Sequence, residues 1–221
     1  MARKLHYICA MKKNTEKRIP ENTLERLVLY RRILDNCEND GKTNIYSHEM
    51  AALAGNTSSQ IRRDLMSCGC SGATRAGYNV KDLQKDLRSQ LGYSDAKQTI
   101  LVGIGNLGRA ILSYFNFRQP RVHMVAAFDI LPDRLGRVIS GTRCHDIKEM
   151  ENIIQENQVT LGVITVPRSE AQATADRLVA AGITGILNFA PVTLKLPDHV
   201  YVENMDITMK IEKIAFYSGD K

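Results

Sequence analysis

The sequence predicts a two-part α/β chain: a small basic helical domain, then a doubly wound parallel sheet, then a short apolar helix. Three observations predict it. An apolar strand pattern, Thr99-Ile100-Leu101-Val102, runs directly into Gly103-Ile104-Gly105-Asn106-Leu107-Gly108. Strand-like and helix-like patterns alternate after that stretch, as right-handed crossovers in a parallel sheet require. The charge excess lies entirely ahead of it: residues 1–92 hold 16 Lys+Arg against 10 Asp+Glu, and residues 93–221 hold 14 of each.

The bulk properties narrow the class. A chain of 221 residues with 43% hydrophobic content can bury a sizeable core. No run of 18 apolar residues occurs, and the first twenty residues carry Lys4, Lys12, Lys13, Lys17 and Arg18 instead of a signal-peptide core, so a cytoplasmic protein is expected. The five cysteines are odd in number and scattered. Cys68-Gly69-Cys70 has no second pair to complete a zinc site, so reduced thiols are expected and no metal. A basic domain on a neutral remainder points to an anionic partner, with nucleic acid first among the candidates.

Residues 1–18 read as a flexible basic tail. From Pro20, the helical spacing of Leu24, Leu27, Val28, Ile33 and Leu34 predicts a helix to about Glu38, broken by Asn39-Asp40-Gly41. Ile45-Tyr46 is a short extended piece. Ser47 is the expected cap of a second helix to Ala54, with Met50, Leu53 and Ala54 facing a core. Gly55-Asn56 ends it, and Thr57 or Ser58 caps a third helix to about Ser67.

Two short helices around a tight glycine turn form a helix-turn-helix, whose second helix enters the major groove. Ile61 and Leu65 face inward, while Ser59, Gln60, Arg62 and Arg63 face out. Arg and Gln suit base edges and Ser suits phosphate. Gly69 to Gly77 fits a β-hairpin wing carrying Arg75, and the 19–92 segment then reads as a winged helix. Val80, Leu83, Leu87 and Leu91 form one stripe of a further helix, stopped by Gly92. Ser94-Asp95-Ala96-Lys97 is the linker.

The glycine motif reads as strand, tight turn and helix start. Gly103 permits the turn, Gly105 lets backbone approach a pyrophosphate, and Gly108 lets helix and strand pack closely. The helix start at Asn106 and Leu107 offers N–H groups and partial positive charge to phosphates. A second apolar run, Val122 to Phe128, ends in Asp129, close to the spacing of the acid that binds adenosine ribose hydroxyls. A carboxylate there favours NAD over NADP. Further on, a helix through Ile147, Met150, Ile153 and Ile154, a strand Val159 to Val166, a helix Glu170 to Ala181, and strands at Gly185 to Phe189 and Val200 to Val202 complete a Rossmann-type sheet over 93–203. Ligands in such sheets sit at the carboxyl ends of strands, which places Thr165, Val166, Pro167, Asn188, Phe189 and Ala190 near the cofactor. The last segment, 204–221, is apolar and helix-like from Met209 to Tyr217, and needs a surface to cover, on its own sheet or on a second subunit.

Taken together these stretches resemble the Rex family of redox-sensing transcriptional repressors. The marks are Leu29-Tyr30-Arg31-Arg32-Ile33-Leu34, Gln60-Ile61-Arg62-Arg63-Asp64-Leu65, Gly77-Tyr78-Asn79-Val80, the Val102–Gly108 motif, Gly185-Ile186-Leu187-Asn188-Phe189-Ala190-Pro191 and Val202-Glu203-Asn204-Met205-Asp206. The resemblance implies a homodimer with a winged helix, an NAD(H)-binding Rossmann domain and a domain-swapped C-terminal helix. It implies binding to palindromic operator DNA and release by NADH, with NAD+ competing for the pocket. It also implies a switch at Arg32, Tyr114 and Asp206, with Asp206 exchanging partners between the other two. The chain departs from the family pattern where Met66 to Ser71 lacks the usual aromatics, where Thr74-Arg75 replaces Arg-Gly, where Leu131 stands for a second acid, and where Ile207 stands for an aromatic. The competing expectation is an NAD-dependent oxidoreductase. Against it, His6, His48, His123, His145 and His199 are scattered, no catalytic set assembles, and there is no room for a substrate domain.

Overall fold

The computed structural model describes residues 19–70, 77–92, 96–118 and 122–219. The chain divides into two compact units, residues 1–94 and 95–221.

In the first unit, α1 (Glu21–Asn39) buries Leu27, Tyr30, Ile33, Leu34 and Cys37. The following elements are β1 (Asn44–Ile45), α2 (Ser47–Ala54), α3 (Ser58–Ser67), β2 (Tyr78–Asn79) and α4 (Val80–Gln90). β1 and β2 pair antiparallel. Together α1 to α4 enclose one core around Tyr30, Ile45, Met50, Ile61, Leu65, Val80 and Leu87.

Three sequence expectations shift here. The cap of α2 is Tyr46, whose backbone N–H donates to Glu49 Oε2 at 2.8 Å, while the Ser47 hydroxyl accepts from Arg62 Nη1 at 3.1 Å. Ala51, not Leu53, joins Met50 in the core, and Leu53 is 62% exposed. An eight-residue helix has room for one narrow buried stripe, and Leu53 falls off it. Of the two caps open for α3, Thr57 takes the place, its hydroxyl accepting from the Gln60 N–H. The expected wing falls largely on residues 71–76, and Arg75 with it lies outside the described residues.

The second unit is a seven-stranded sheet with order β5-β6-β4-β3-β7-β8-β9. The strands are β3 (Lys97–Val102), β4 (Val122–Asp129), β5 (Val138–Ile139), β6 (Thr142–Asp146), β7 (Leu161–Ile164), β8 (Gly185–Asn188) and β9 (Tyr201–Asn204). All pairings are parallel except the β5–β6 edge hairpin. The helices are α5 (Asn106–Arg118), α6 (Met150–Glu156), α7 (Arg168–Ala180) and α8 (Ile207–Ser218).

Alternation along β3 shows the double winding. Ile100 and Val102 enter a core with Leu178 of α7 and Ile154 of α6, while Leu101 enters a second core with Ile111 and Leu112 of α5. β6 escapes the sequence reading because Arg143, His145 and Asp146 interrupt its apolar pattern; it pairs through backbone with Ala127 to Asp129. Gln158 and Gly182 carry positive φ at the ends of the connections into β7 and β8. No helix among the described residues is long and apolar enough to cross a membrane.

Candidate functional site: a dinucleotide cleft and a basic helix face

A cleft of about 590 Å³ opens at the carboxyl ends of β3, β4 and β7. That volume lies within the ordinary range for small-molecule sites, about 300–1,000 Å³. Its walls are Gly103 to Gly105, Asp129 to Leu131 with Arg134, Thr165 to Pro167, and the facing side of α7 from Glu170 to Arg177. Three of the four loops that should meet at such a switch point therefore do meet.

The glycine turn is forced by its surroundings. Gly103 sits at φ +99°, and a Cβ there would lie 2.8 Å from the Thr165 backbone. At Gly108 a Cβ would collide with the Gly103 carbonyl oxygen, so α5 can start this close to β3 only with glycine. Gly105 differs: a Cβ there would meet nothing within 4 Å. The space over Gly105 is open toward the cleft, where a pyrophosphate would be received by backbone. Thr165 ties the two loops together, its hydroxyl donating to the Gly103 carbonyl at 2.6 Å. Asn106, Leu107 and Gly108 form the first turn of α5, whose leading N–H groups have no partners inside the helix.

Asp129 ends β4 and is only 7% exposed. Oδ2 accepts from Ile104 N and from Arg134 Nη1, each at 2.7 Å, and Oδ1 accepts from Ile130 N at 2.8 Å and Leu131 N at 3.0 Å. Burial alone would raise this carboxyl. The N–H of Leu131, the Arg134 guanidinium and the N–H groups of Ile104 and Ile130 outweigh it, and the group is held below the usual carboxylate range. Asp129 thus clamps the middle residue of the glycine turn as well as facing the cleft. The sequence reading missed Arg134, which was visible only as a basic residue five places beyond the acid.

Asn188, Phe189 and Ala190 stand at the end of β8, one strand further along, and do not line the cleft. Asn188 is fully buried and spends its amide on the Ala190 and Val192 carbonyls and on Asn204 Oδ1. Tyr114 is half-exposed on α5 and packs edge-on against Phe115. Asp206 caps α8, accepting from Met209 N at 3.0 Å. Arg32 is exposed on α1.

The basic face lies on α3 of the first unit. Ser59, Arg62 and Arg63 are exposed and Gln60 is half-buried. Their side chains are linked: Arg62 reaches Ser47 and Ser59, and Arg63 Nη2 donates to Gln60 Oε1 at 2.9 Å. Gln60 in turn donates to Asp64 Oδ1 at 2.7 Å. Asp64, 3% exposed, also receives Arg26 through two nitrogens and the Tyr30 hydroxyl at 2.8 Å. Burial pulls the Asp64 carboxyl up, but Arg26, Tyr30 and Gln60 pull harder and hold it low. This cluster fixes α3 on α1, and nothing in the sequence spacing announced it.

The cysteines Cys37, Cys68, Cys70 and Cys144 are free and buried, and burial pushes the Cys70 thiol up to about 11. Cys9 lies outside the described residues.

Comparison with known proteins matches both units. The family model for the putative DNA-binding protein N-terminus covers residues 18–65, and that for the CoA binding domain covers residues 94–192. A redox-sensing transcriptional repressor Rex from Carboxydothermus hydrogenoformans is 40% identical over 199 residues, 90% of this chain and 96% of its own length. Among solved structures, RSP in complex with β-NAD+ and operator DNA superposes with a TM-score of 0.86 at 35% identity, covering 93% of this chain and 94% of that one. RSP in complex with β-NADH gives a TM-score of 0.81 at 34% identity over 93% and 96%. These relatives are repressors, not enzymes. With the cleft, the basic helix and near-complete coverage in agreement, this chain belongs to the Rex family of redox-sensing transcriptional repressors.

Proposed function

We propose that this protein is a cytoplasmic, homodimeric repressor that binds palindromic operator DNA and is released from it when NADH occupies the cleft at Gly103. The observation that carries the reading is the whole-chain match to a repressor solved with β-NAD+ and operator DNA, combined with a glycine turn that leaves open space over Gly105.

The residues present fit a dinucleotide. Gly103, Gly105, Asn106, Leu107 and Gly108 would receive the pyrophosphate on backbone N–H groups, and Asp129 would hold the adenosine ribose. Thr165, Val166 and Pro167 would flank the nicotinamide half, with Asn188 shaping the β8 loop that carries Phe189 and Ala190. When bound, the dinucleotide supplies a nicotinamide whose charge differs by one between NAD+ and NADH. Tyr114 and Asp206 are the residues proposed to sense it, and Arg32 the one proposed to relay the change to DNA binding. A ligand can shift such an equilibrium only by its differential affinity for the two states.

Ser59, Gln60, Arg62 and Arg63 would meet the operator, and Arg75 would do so from the wing. The homodimer is supported by α8: no residue of it is buried, and Ile211, Ile214, Phe216 and Tyr217 stand exposed. Each such side chain, once covered, is worth about 1.5–3 kcal/mol. A second copy exchanging this helix would cover them.

A gel shift on the protein's own upstream region tests the reading. NADH should weaken the complex at concentrations where NAD+ does not. Equal effects of the two nucleotides would remove the redox-sensing part.

A further inference from the structure

The bonding of Asp129 bears on how the cleft accepts a ribose, an argument that rests on the dinucleotide reading above. An ionised carboxylate offers about four acceptor sites. Here all four are taken, by Ile104 N, Arg134 Nη1, Ile130 N and Leu131 N. A ribose diol brings hydroxyl donors to this carboxylate and must displace something. Three of the present donors are backbone N–H groups, Ile104 in the glycine turn and Ile130 and Leu131 in the loop after β4, and removing them would reshape the loops that build the site. Arg134 is the one side chain. It lines the same cleft, its side chain is 22% exposed, and its Nε is closed off from solvent without a hydrogen-bond partner. The guanidinium is therefore anchored by one corner and poorly satisfied elsewhere. Leu131 adds no second negative charge beside it.

We propose that Arg134 is a specificity-determining residue at the ribose end of the cleft. Its guanidinium competes with the ribose hydroxyls for Asp129. Once displaced, it remains as a cation beside the ribose, so a 2′-phosphate meets a partner there instead of a bare carboxylate. Arg134 thereby weakens NADH and softens the rejection of NADPH.

The test is a pair of fluorescence titrations, NADH and NADPH, on the full chain as wild type, Arg134→Met and Arg134→Gln. Removing the guanidinium should tighten NADH and weaken NADPH, raising the ratio of their dissociation constants about tenfold, the size of one charge-assisted hydrogen bond. Arg134→Gln keeps a donor for Asp129 without the charge, should raise the ratio as well, and decides the matter if the Met variant does not fold. An unchanged ratio, with both affinities moving together, would make Arg134 a brace for the loop and overturn the proposal. Wild-type protein that binds neither nucleotide would instead refute the dinucleotide reading itself.

Discussion

Each unit holds one nearly buried aspartate paired with an arginine, and the two pairs are built differently. Asp64 is satisfied entirely by side chains, from Arg26 and Tyr30 on α1 and Gln60 one turn back on α3. Asp129 is satisfied mostly by backbone, from the glycine turn and its own following loop, with Arg134 as the exception. The first is a tertiary clamp: it joins two helices and, through Gln60, braces the side chain of Arg63. The second shapes a loop, and its one exchangeable partner faces an open cleft. A carboxylate wrapped by side chains locks packing. One wrapped by backbone can trade a single ligand without unfolding anything.

That contrast can be broken by substitution. The largest effect is expected for Asp64→Ala, which strands the Arg26 guanidinium and the buried Tyr30 hydroxyl. Breaking a buried pair this way costs about 3–5 kcal/mol. Urea unfolding of the variant should show a loss of that order, with operator affinity falling too as α3 loosens; a loss under 1 kcal/mol would show that the clamp is dispensable.

Asp129→Ala should cost less stability, about 1–3 kcal/mol, because each orphaned N–H lies near the cleft and can find water. Its larger effect should fall on NADH, whose affinity should drop about tenfold or more in a calorimetric titration. Unchanged NADH affinity would remove Asp129 from the ribose site.

Acidification should weaken both aspartate pairs. Both carboxyls are held below their ordinary range, so the stability they add is present above the unfolded value of about 3.9 and is lost as pH falls through the folded values. Wild-type stability should therefore drop steeply below about pH 4, and Asp64→Ala should flatten that drop. An equal slope in wild type and variant would assign the loss to other groups.

The smallest effect is expected for Lys42→Ala. Its pair with Glu49, at 2.7 Å, joins two partly exposed side chains. Solvent and salt screen such a pair, and unfolding should barely register the change.

The sequence was most legible where the physics is local. The glycine turn, the strand into it and Asp129 are fixed by spacing along the chain, and Gly103 and Gly108 perform the packing roles assigned to them. The parallel order of β3, β4, β7 and β8 follows from alternation of apolar strands with helices. The Ser47 and Leu53 expectations failed because a short helix can be capped from one residue earlier and rotated by its neighbours. Asp64 was hidden because its partners Arg26 and Tyr30 lie 38 and 34 residues away, a distance no periodicity spans. Arg134 was hidden for another reason: a basic loop residue looks solvated until the carboxylate beside it is seen. β6 was missed because a strand carrying Arg143 and His145 has no continuous apolar signature, although it is paired on both sides.

If cofactor and operator act on one equilibrium, linkage ties their two affinities together. Whatever factor NADH takes from operator affinity, operator must take from NADH affinity. NADH should be titrated into the full-length protein alone and into its saturated operator complex. NADH should bind more weakly in the complex, by the same factor that NADH weakens operator binding. An NADH affinity indifferent to operator would contradict it.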